Sequence, residues 1–112
     1  MGIKTGSSPF GGTTRTRVLL ALRLLADSYP RELARVLGMP FSSVQKALAS
    51  LEKDGLVAGR ALGRTRVFTL DPRYFAHDDL QRFLLRLTEP EFELKARVAT
   101  LRRRPRRTAK PL

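Results

Sequence analysis

The chain has no cysteine and a single histidine among its 112 residues. The lack of cysteine excludes disulfides, thiolate metal sites and thiol nucleophiles, and it fits the reducing cytoplasm, where we expect the protein to lie. The sequence also lacks a glycine-rich phosphate loop and clustered carboxylates outside caps and turns. We therefore expect a protein that is not an enzyme and that holds no metal and no cofactor.

Long apolar runs are missing as well. The longest covers residues 18–26, nine residues interrupted by Arg23, whereas a membrane-spanning helix needs about 20. Arg23 also argues against a signal peptide, because the apolar region of such a peptide is uncharged. The sequence therefore contains no candidate membrane anchor.

Acidic residues are absent from residues 95–112, which hold eight of the 22 lysines and arginines. Residues 18–94 hold eleven basic and ten acidic groups, so the net charge of +12 is concentrated at the C-terminal end. This distribution predicts a polyanionic partner. The tail either lies along nucleic-acid phosphates or is only a solubilising end. The candidate phosphate contacts are Arg102, Arg103, Arg104, Arg106 and Arg107.

Apolar periodicity predicts a first helix over residues 13–28. Its apolar side chains recur at helical spacing from Val18 onward. Thr13 or Thr14 is a suitable N-cap. The helix should stop before Pro30, because a residue that precedes proline is pushed out of the α region.

A short second helix is predicted over residues 31–37, with Gly38 at its C-terminal end. The next helix should span about residues 41–54, within the segment PFSSVQKALASLEKDGLV. Its polar face carries serine, glutamine and lysine, and no acid precedes Glu52. A purely solvated helix face would normally mix glutamate with lysine.

The period then changes to two, which predicts strands over residues 56–60 and 65–70 joined through residues 61–63. A further helix should begin at Asp78 or Asp79 as its cap. A last helix should run from residue 89 to about 101, with a capping box over residues 88–91.

This order of elements is mainly α with a small β-hairpin (α+β), and it describes a winged helix-turn-helix with C-terminal helices. We divide the chain into a flexible N-terminal segment (1–12), a winged-helix DNA-binding domain (13–75), C-terminal helices for dimerisation (76–101) and a basic disordered tail (102–112).

Three segments resemble ArsR-type winged-helix transcriptional regulators in order and spacing. They are FGGTTRTRVL (10–19), RELARVLGMPFSSVQKALASLEKDGLV (31–57) and GRTRVFTLDP (63–72). The resemblance implies a recognition helix at about 41–54 and a DNA-contacting hairpin, the wing, at about 57–70. Metal-sensing members of that family carry cysteines in the second helix, and this chain has none.

A recognition helix reads the major groove with the side chains of its first exposed turns. Gln45 can pair with adenine, Lys46 can reach guanine or a phosphate, and Ser42 and Ser43 can contact either. The alternatives are a Ser42–Gln45 capping box and a solvated Lys46. Phe41 either contacts a thymine methyl group or packs on its own helix.

The hairpin carries three arginines that suit a wing lying over the minor groove and the phosphates, namely Arg60, Arg64 and Arg66. Arg64 matches the wing arginine of the resembling family. The alternative for Arg66 is a solvated strand position.

An apolar surplus lies on the first helix and on the helix after the wing. In the resembling family the first and last helices form a homodimer, so we expect these residues at a dimer interface. The alternative is that they complete the core. The residues are Val18, Leu22, Leu25, Leu80, Phe83, Leu84 and Leu87.

A second sensor site in that family uses histidine and acids on the C-terminal helix. His77, Asp78 and Asp79 echo it faintly, but we expect helix caps beside a solvated histidine, and no metal.

The sequence thus predicts a sequence-specific regulator that binds double-stranded DNA as a homodimer, associated with the nucleoid. Two alternatives remain open. One is a non-specific basic RNA- or nucleoid-binding protein, and the other is a winged helix that docks onto a protein.

Overall fold

The computed structural model describes residues 9–102. Within that range the chain forms five helices and a small three-stranded antiparallel sheet. None of these helices has the length and continuous apolarity that crossing a membrane requires. The elements in chain order are α1 (Thr13–Leu25), β1 (Asp27–Ser28), α2 (Pro30–Leu37), α3 (Phe41–Lys53), β2 (Val57–Leu62), β3 (Thr65–Leu70), α4 (His77–Leu87) and α5 (Phe92–Arg102).

Helix α1 is the centre of the core. Its residues 18–22 and Leu25 are fully buried, and it packs against α2, α3, α4 and α5. A helix that is apolar on nearly all sides has to be enclosed, since water would otherwise meet one of its faces. The helix begins at Thr13 behind Gly12, so neither threonine caps it, and it ends three residues earlier than predicted.

The helix-turn-helix forms as predicted. Tyr29 is extended, as a residue before proline should be, and Pro30 opens α2 in the first turn, where its missing N–H costs nothing. Gly38 ends α2 in the left-handed conformation, with φ of 65°. The turn over residues 38–40 then delivers the chain to α3.

The hairpin β2–β3 follows α3 directly. The predicted strand over residues 65–70 is confirmed, whereas β2 runs two residues further than expected. Its last residue, Leu62, pairs with Thr65, so the connection is the two-residue turn Gly63–Arg64. Gly63 has φ of 62°, which the first central position of a type II′ turn requires.

Strand β1 was missed in the sequence. It comprises two residues that pair with Thr69 and Phe68, which places β3 in the middle of a three-stranded sheet. The Thr69 hydroxyl also donates to the Ala26 carbonyl. Two residues are too few to show a period of two, so only the long-range pairing reveals this strand.

The predicted caps of the C-terminal helices are wrong. Helix α4 begins at His77 behind Ala76, so Asp78 and Asp79 lie inside its first turn, where acids favour the helix dipole. Residues 88–91 form no capping box. The Thr88 hydroxyl instead donates to the Leu85 carbonyl at the end of α4.

Candidate nucleic-acid interface

The outer face of α3 displays the polar residues that the sequence singled out. Ser42, Gln45 and Lys46 are exposed, and Ser43 and Phe41 are half-buried. The opposite face carries Val44, Ala47, Leu48 and Leu51 into the core. Because the apolar face fixes the rotation of the helix, the polar set must point outward.

The capping-box alternative for Ser42 and Gln45 is wrong. Helix α3 begins at Phe41, and its N-cap is Pro40, which has no side-chain hydrogen bond to offer. The N–H groups of Ser43 and Val44 donate to the Pro40 carbonyl instead. Both side chains are therefore free to contact a partner, and the helix starts where the resemblance implies.

Arg31 was missed by the sequence analysis. It is an exposed residue in the first turn of α2, and its guanidinium carbon lies 4.6 Å from the centre of the Phe41 ring. This cation–π contact joins the first turn of α2 to the first residue of α3. The sequence did offer a signal for this residue: Arg31 directly follows Pro30, in the helix that precedes the candidate recognition helix.

The three hairpin arginines do not behave alike. Arg64 lies at the tip of the turn and Arg60 on β2, and both are exposed without an ion pair among the residues that the structure describes. Arg66 instead pairs with Glu52 of α3, with 2.7 Å between Arg66 Nη2 and Glu52 Oε2. Alternation along the strands turns Arg60 to the face opposite Arg66.

The Arg66 contact changes the protonation equilibria of both partners. The hydrogen bond from Arg66 lowers the pKa of Glu52 below its usual value, and the Gly59 N–H adds to this effect. The same pairing raises the pKa of Arg66. Glu52 is therefore a fully ionised acceptor at neutral pH.

An open groove of about 890 Å³ separates α3 from the hairpin. Leu48 and Phe68 contribute apolar surface to it, while Gln45 and Arg64 line it from the two sides. The groove brings the middle of the α3 face and the hairpin tip around one space. Arg60 does not line it.

Comparison with known proteins finds solved structures that have a similar fold. No family model matches the chain, and no curated protein does. Among solved structures, a mutant MarR from E. coli, complexed with operator DNA, matches with 23% identity and a TM-score of 0.57, covering 86% of this chain and 74% of that one. The adhesin competence repressor (AdcR) of Streptococcus pyogenes matches with 21% identity and a TM-score of 0.54, covering 87% of this chain and 81% of that one.

The fold is a winged helix. The predicted fold class, mainly α with a small hairpin and C-terminal helices, is confirmed. The hairpin β2–β3 is the wing, and α2 and α3 form the helix-turn-helix. At these identities the likeness supports the winged helix and does not single out the ArsR type.

The basic tail lies largely outside the described residues. Arg103, Arg104, Arg106 and Arg107 all fall there. Arg102 is the last residue of α5, and its guanidinium donates to the Leu25 carbonyl at the end of α1. That bond ties α5 to α1, so Arg102 already has a role within the winged helix.

Most of the predicted dimer residues lie in the core of the chain. Val18, Leu22, Leu25 and Leu84 are fully buried, and Leu80 is nearly so, because α4 packs its apolar face onto α1. The core alternative therefore describes these five. Leu87 is half-buried and Phe83 is 46% exposed, with its ring beside Phe10.

Four large apolar residues in the C-terminal part of the described chain are exposed. Phe75 is 92% exposed, Phe92 is 74% exposed, and Leu85 and Phe83 are each 46% exposed. These four residues lie on the segment before α4, on α4 and at the first residue of α5. Phe83 and Leu85 are two positions apart on α4 and therefore face different sides of that helix.

His77 is not the solvated histidine that we expected. Its Nδ1 lies 3.1 Å from the Asp71 carbonyl oxygen, and its Nε2 lies 2.7 Å from Gln81 Nε2. The first contact joins the start of α4 to the segment after β3, and the second lies within α4. Across residues 9–102 the structure contains no group of three or more potential metal ligands.

Proposed function

We propose that the chain is a sequence-specific transcriptional regulator that binds double-stranded DNA as a homodimer. Helix α3 would enter the major groove, and the wing would lie on the backbone and minor groove. One observation carries the proposal: an outward helix face without acid through Ser50 and the wing-tip Arg64, which has no ion pair within residues 9–102, line the same groove.

The chemistry of α3 fits this role. The major groove admits one helix and presents donors and acceptors that differ for each base pair. Gln45 would pair with adenine, Lys46 would reach guanine or a phosphate, and Ser42 and Ser43 would donate to either. The free N–H groups at the start of α3 would face phosphate, since a helix N-terminus attracts anions.

The wing supplies contacts that carry no sequence information. Arg64 at the tip and Arg60 on β2 would bind phosphates, and Arg31 would add a contact from the first turn of α2. The tail arginines would strengthen binding to any sequence. The solved structure of MarR with operator DNA supports this general mode for a winged helix.

The homodimer would use the exposed residues Phe75 and Phe92, with Phe83 from the set that the sequence suggested. Exposed aromatic side chains are enriched at protein interfaces, and isolated small proteins seldom expose several together. Two copies related by a two-fold axis would present two α3 helices to successive major grooves.

We propose that, among winged-helix proteins, this chain is related to ArsR-type regulators, because three of its segments match their pattern. We further propose that the protein acts by binding, without catalysis, in the cytoplasm near the nucleoid. The cysteine-free composition and the segment of concentrated positive charge support that location.

A second candidate is a non-specific basic binder of RNA or nucleoid DNA, favoured by the eight basic residues of 95–112. Deletion of residues 103–112 separates the two candidates while it leaves α5 whole. A regulator keeps its preference for one duplex over a scrambled one and loses overall affinity. A polycationic binder loses nearly all binding, measured by fluorescence anisotropy at physiological salt.

A further inference from the structure

Glu52 and Arg66 join the recognition helix to the wing through two parallel hydrogen bonds. Arg66 Nη2 lies 2.7 Å from Glu52 Oε2, and Arg66 Nη1 lies 3.2 Å from Glu52 Oε1. A guanidinium that donates both bonds to one carboxylate is held in a fixed orientation. Glu52 is also the one acid within α3.

Two residues of the wing, Phe68 and Gly59, accommodate the Arg66 guanidinium. The Arg66 guanidinium lies over the Phe68 ring, 4.9 Å from its centre. Gly59, on the neighbouring strand, leaves the room for it: a Cβ there would lie 2.6 Å from Arg66 Nη2 and 2.7 Å from the Phe68 ring. Any larger residue would displace the guanidinium or the ring.

Arg66 therefore differs from the other wing arginines in both charge and freedom. Arg60 and Arg64 are exposed and have no ion pair within residues 9–102. The charge of Arg66 is neutralised by Glu52, and its side chain is held by Glu52 and Phe68. To reach a phosphate it would have to leave a bidentate partner and expose Glu52 to the DNA.

We propose that Arg66 is a positioning residue and not a phosphate contact: with Glu52 it fixes the wing against α3 and neutralises the helix's acid. This inference rests on the proposed function and replaces the direct contact that the sequence analysis assigned to Arg66. Glu52 then contributes to sequence specificity, because it keeps Arg66 from binding backbone phosphates, which every DNA sequence presents.

The test uses the salt dependence of binding to a duplex of arbitrary sequence. Each arginine–phosphate contact contributes about 0.9 to the slope of log K against log salt. The full-length chain is compared with Arg66→Gln, Glu52→Gln and the double variant. Arg64→Gln is the matched control, since it removes an exposed arginine from the same wing.

The positioning role predicts a distinctive pattern of slopes. Arg64→Gln makes the slope shallower by about 0.9, whereas Arg66→Gln leaves it unchanged. Glu52→Gln releases Arg66 and makes the slope steeper by about 0.9. The double variant returns the slope to the wild-type value. Arg66→Gln also weakens binding roughly threefold at every salt concentration, because Glu52 is left unpaired, and the double variant recovers that loss.

One further variant and one control measurement keep the result decisive. Arg66→Lys retains a partner for Glu52 and should bind more tightly than Arg66→Gln with the same slope. Circular dichroism of each variant verifies the helical content. The inference is overturned if Arg66→Gln lowers the slope as much as Arg64→Gln does while the wild type binds normally. If the wild type binds no duplex at all, the proposed function fails and this inference with it.

Discussion

Arg15 of α1 reaches Asp54 at the C-terminal end of α3, with 2.9 Å between Arg15 Nη1 and Asp54 Oδ2. The same guanidinium donates to the Ser50 hydroxyl and to the Phe10 carbonyl. One side chain thus joins the segment before α1, α1 itself and α3. It holds the end of α3 that lies farthest from the proposed base contacts.

Replacement of this arginine should loosen that end of α3. We expect Arg15→Ala to lower the free energy of unfolding by roughly 1–2 kcal/mol, because three acceptors lose a largely buried donor. Urea denaturation measures the change. Arg35→Ala is the control, since Arg35 is exposed and should change stability by less than about 0.5 kcal/mol. Equal losses in the two variants would contradict the role given to Arg15.

The start of α3 gives a second prediction. Since Ser42 lies inside the helix and caps nothing, Ser42→Ala should change the free energy of unfolding by less than about 0.5 kcal/mol. A true N-cap would cost about 1 kcal/mol. Gly38→Ala is the positive control, because its φ of 65° strains any side chain and should cost about 1 kcal/mol. A loss for Ser42→Ala equal to that control would restore the capping box.

Base reading should depend on Gln45 in a position-specific way. Gln45→Ala should relax the preference at one base pair of each half-site by roughly 1–3 kcal/mol and leave the other positions intact. Affinities for a set of single-base variants of the preferred duplex measure this. Arg64→Gln is the contrast, since it should weaken all of these duplexes alike. A uniform loss for Gln45→Ala would exclude it from base contacts.

The exposed residues Phe75 and Phe92 should control self-association. Sedimentation velocity of the wild type at micromolar concentration should show a dimer, and the Phe75→Ser, Phe92→Ser double variant should be largely monomeric. Both residues are exposed, so the variant should keep its folding stability. Leu62→Ser removes a similar exposed apolar side chain from the wing and should remain dimeric. A dimer that survives the double variant would move the interface elsewhere.

Local sequence patterns were enough to predict the architecture. The helical period of α3, the proline that opens α2 and the glycine that closes it all act within a few residues, and so does the period of two in β3. The helix-turn-helix and the wing follow from such signals. The fold itself does not separate ArsR-type regulators from other winged helices, because it reflects the core that they share.

Features that depend on distant contacts could not be predicted. Apolar periodicity shows that Leu22 and Leu84 are buried, but it does not tell whether the chain or a second copy buries them. The pairing of Glu52 with Arg66 links residues fourteen positions apart, and no local signal distinguishes Arg66 from Arg64. The predicted caps failed because a residue type that suits a cap does not fix where the helix begins: Thr13 and Asp78 lie inside the first turns of α1 and α4, and Thr88 lies four residues before α5.

Selection of bound duplexes from random DNA at physiological salt tests the central claim most directly. The full-length chain should enrich one sequence whose two half-sites are related by inversion, with centres about 10 base pairs apart, because a two-fold dimer places its α3 helices one DNA turn apart. Recovery of sequences no different from the starting pool would contradict sequence-specific binding and favour a basic nucleic-acid binder.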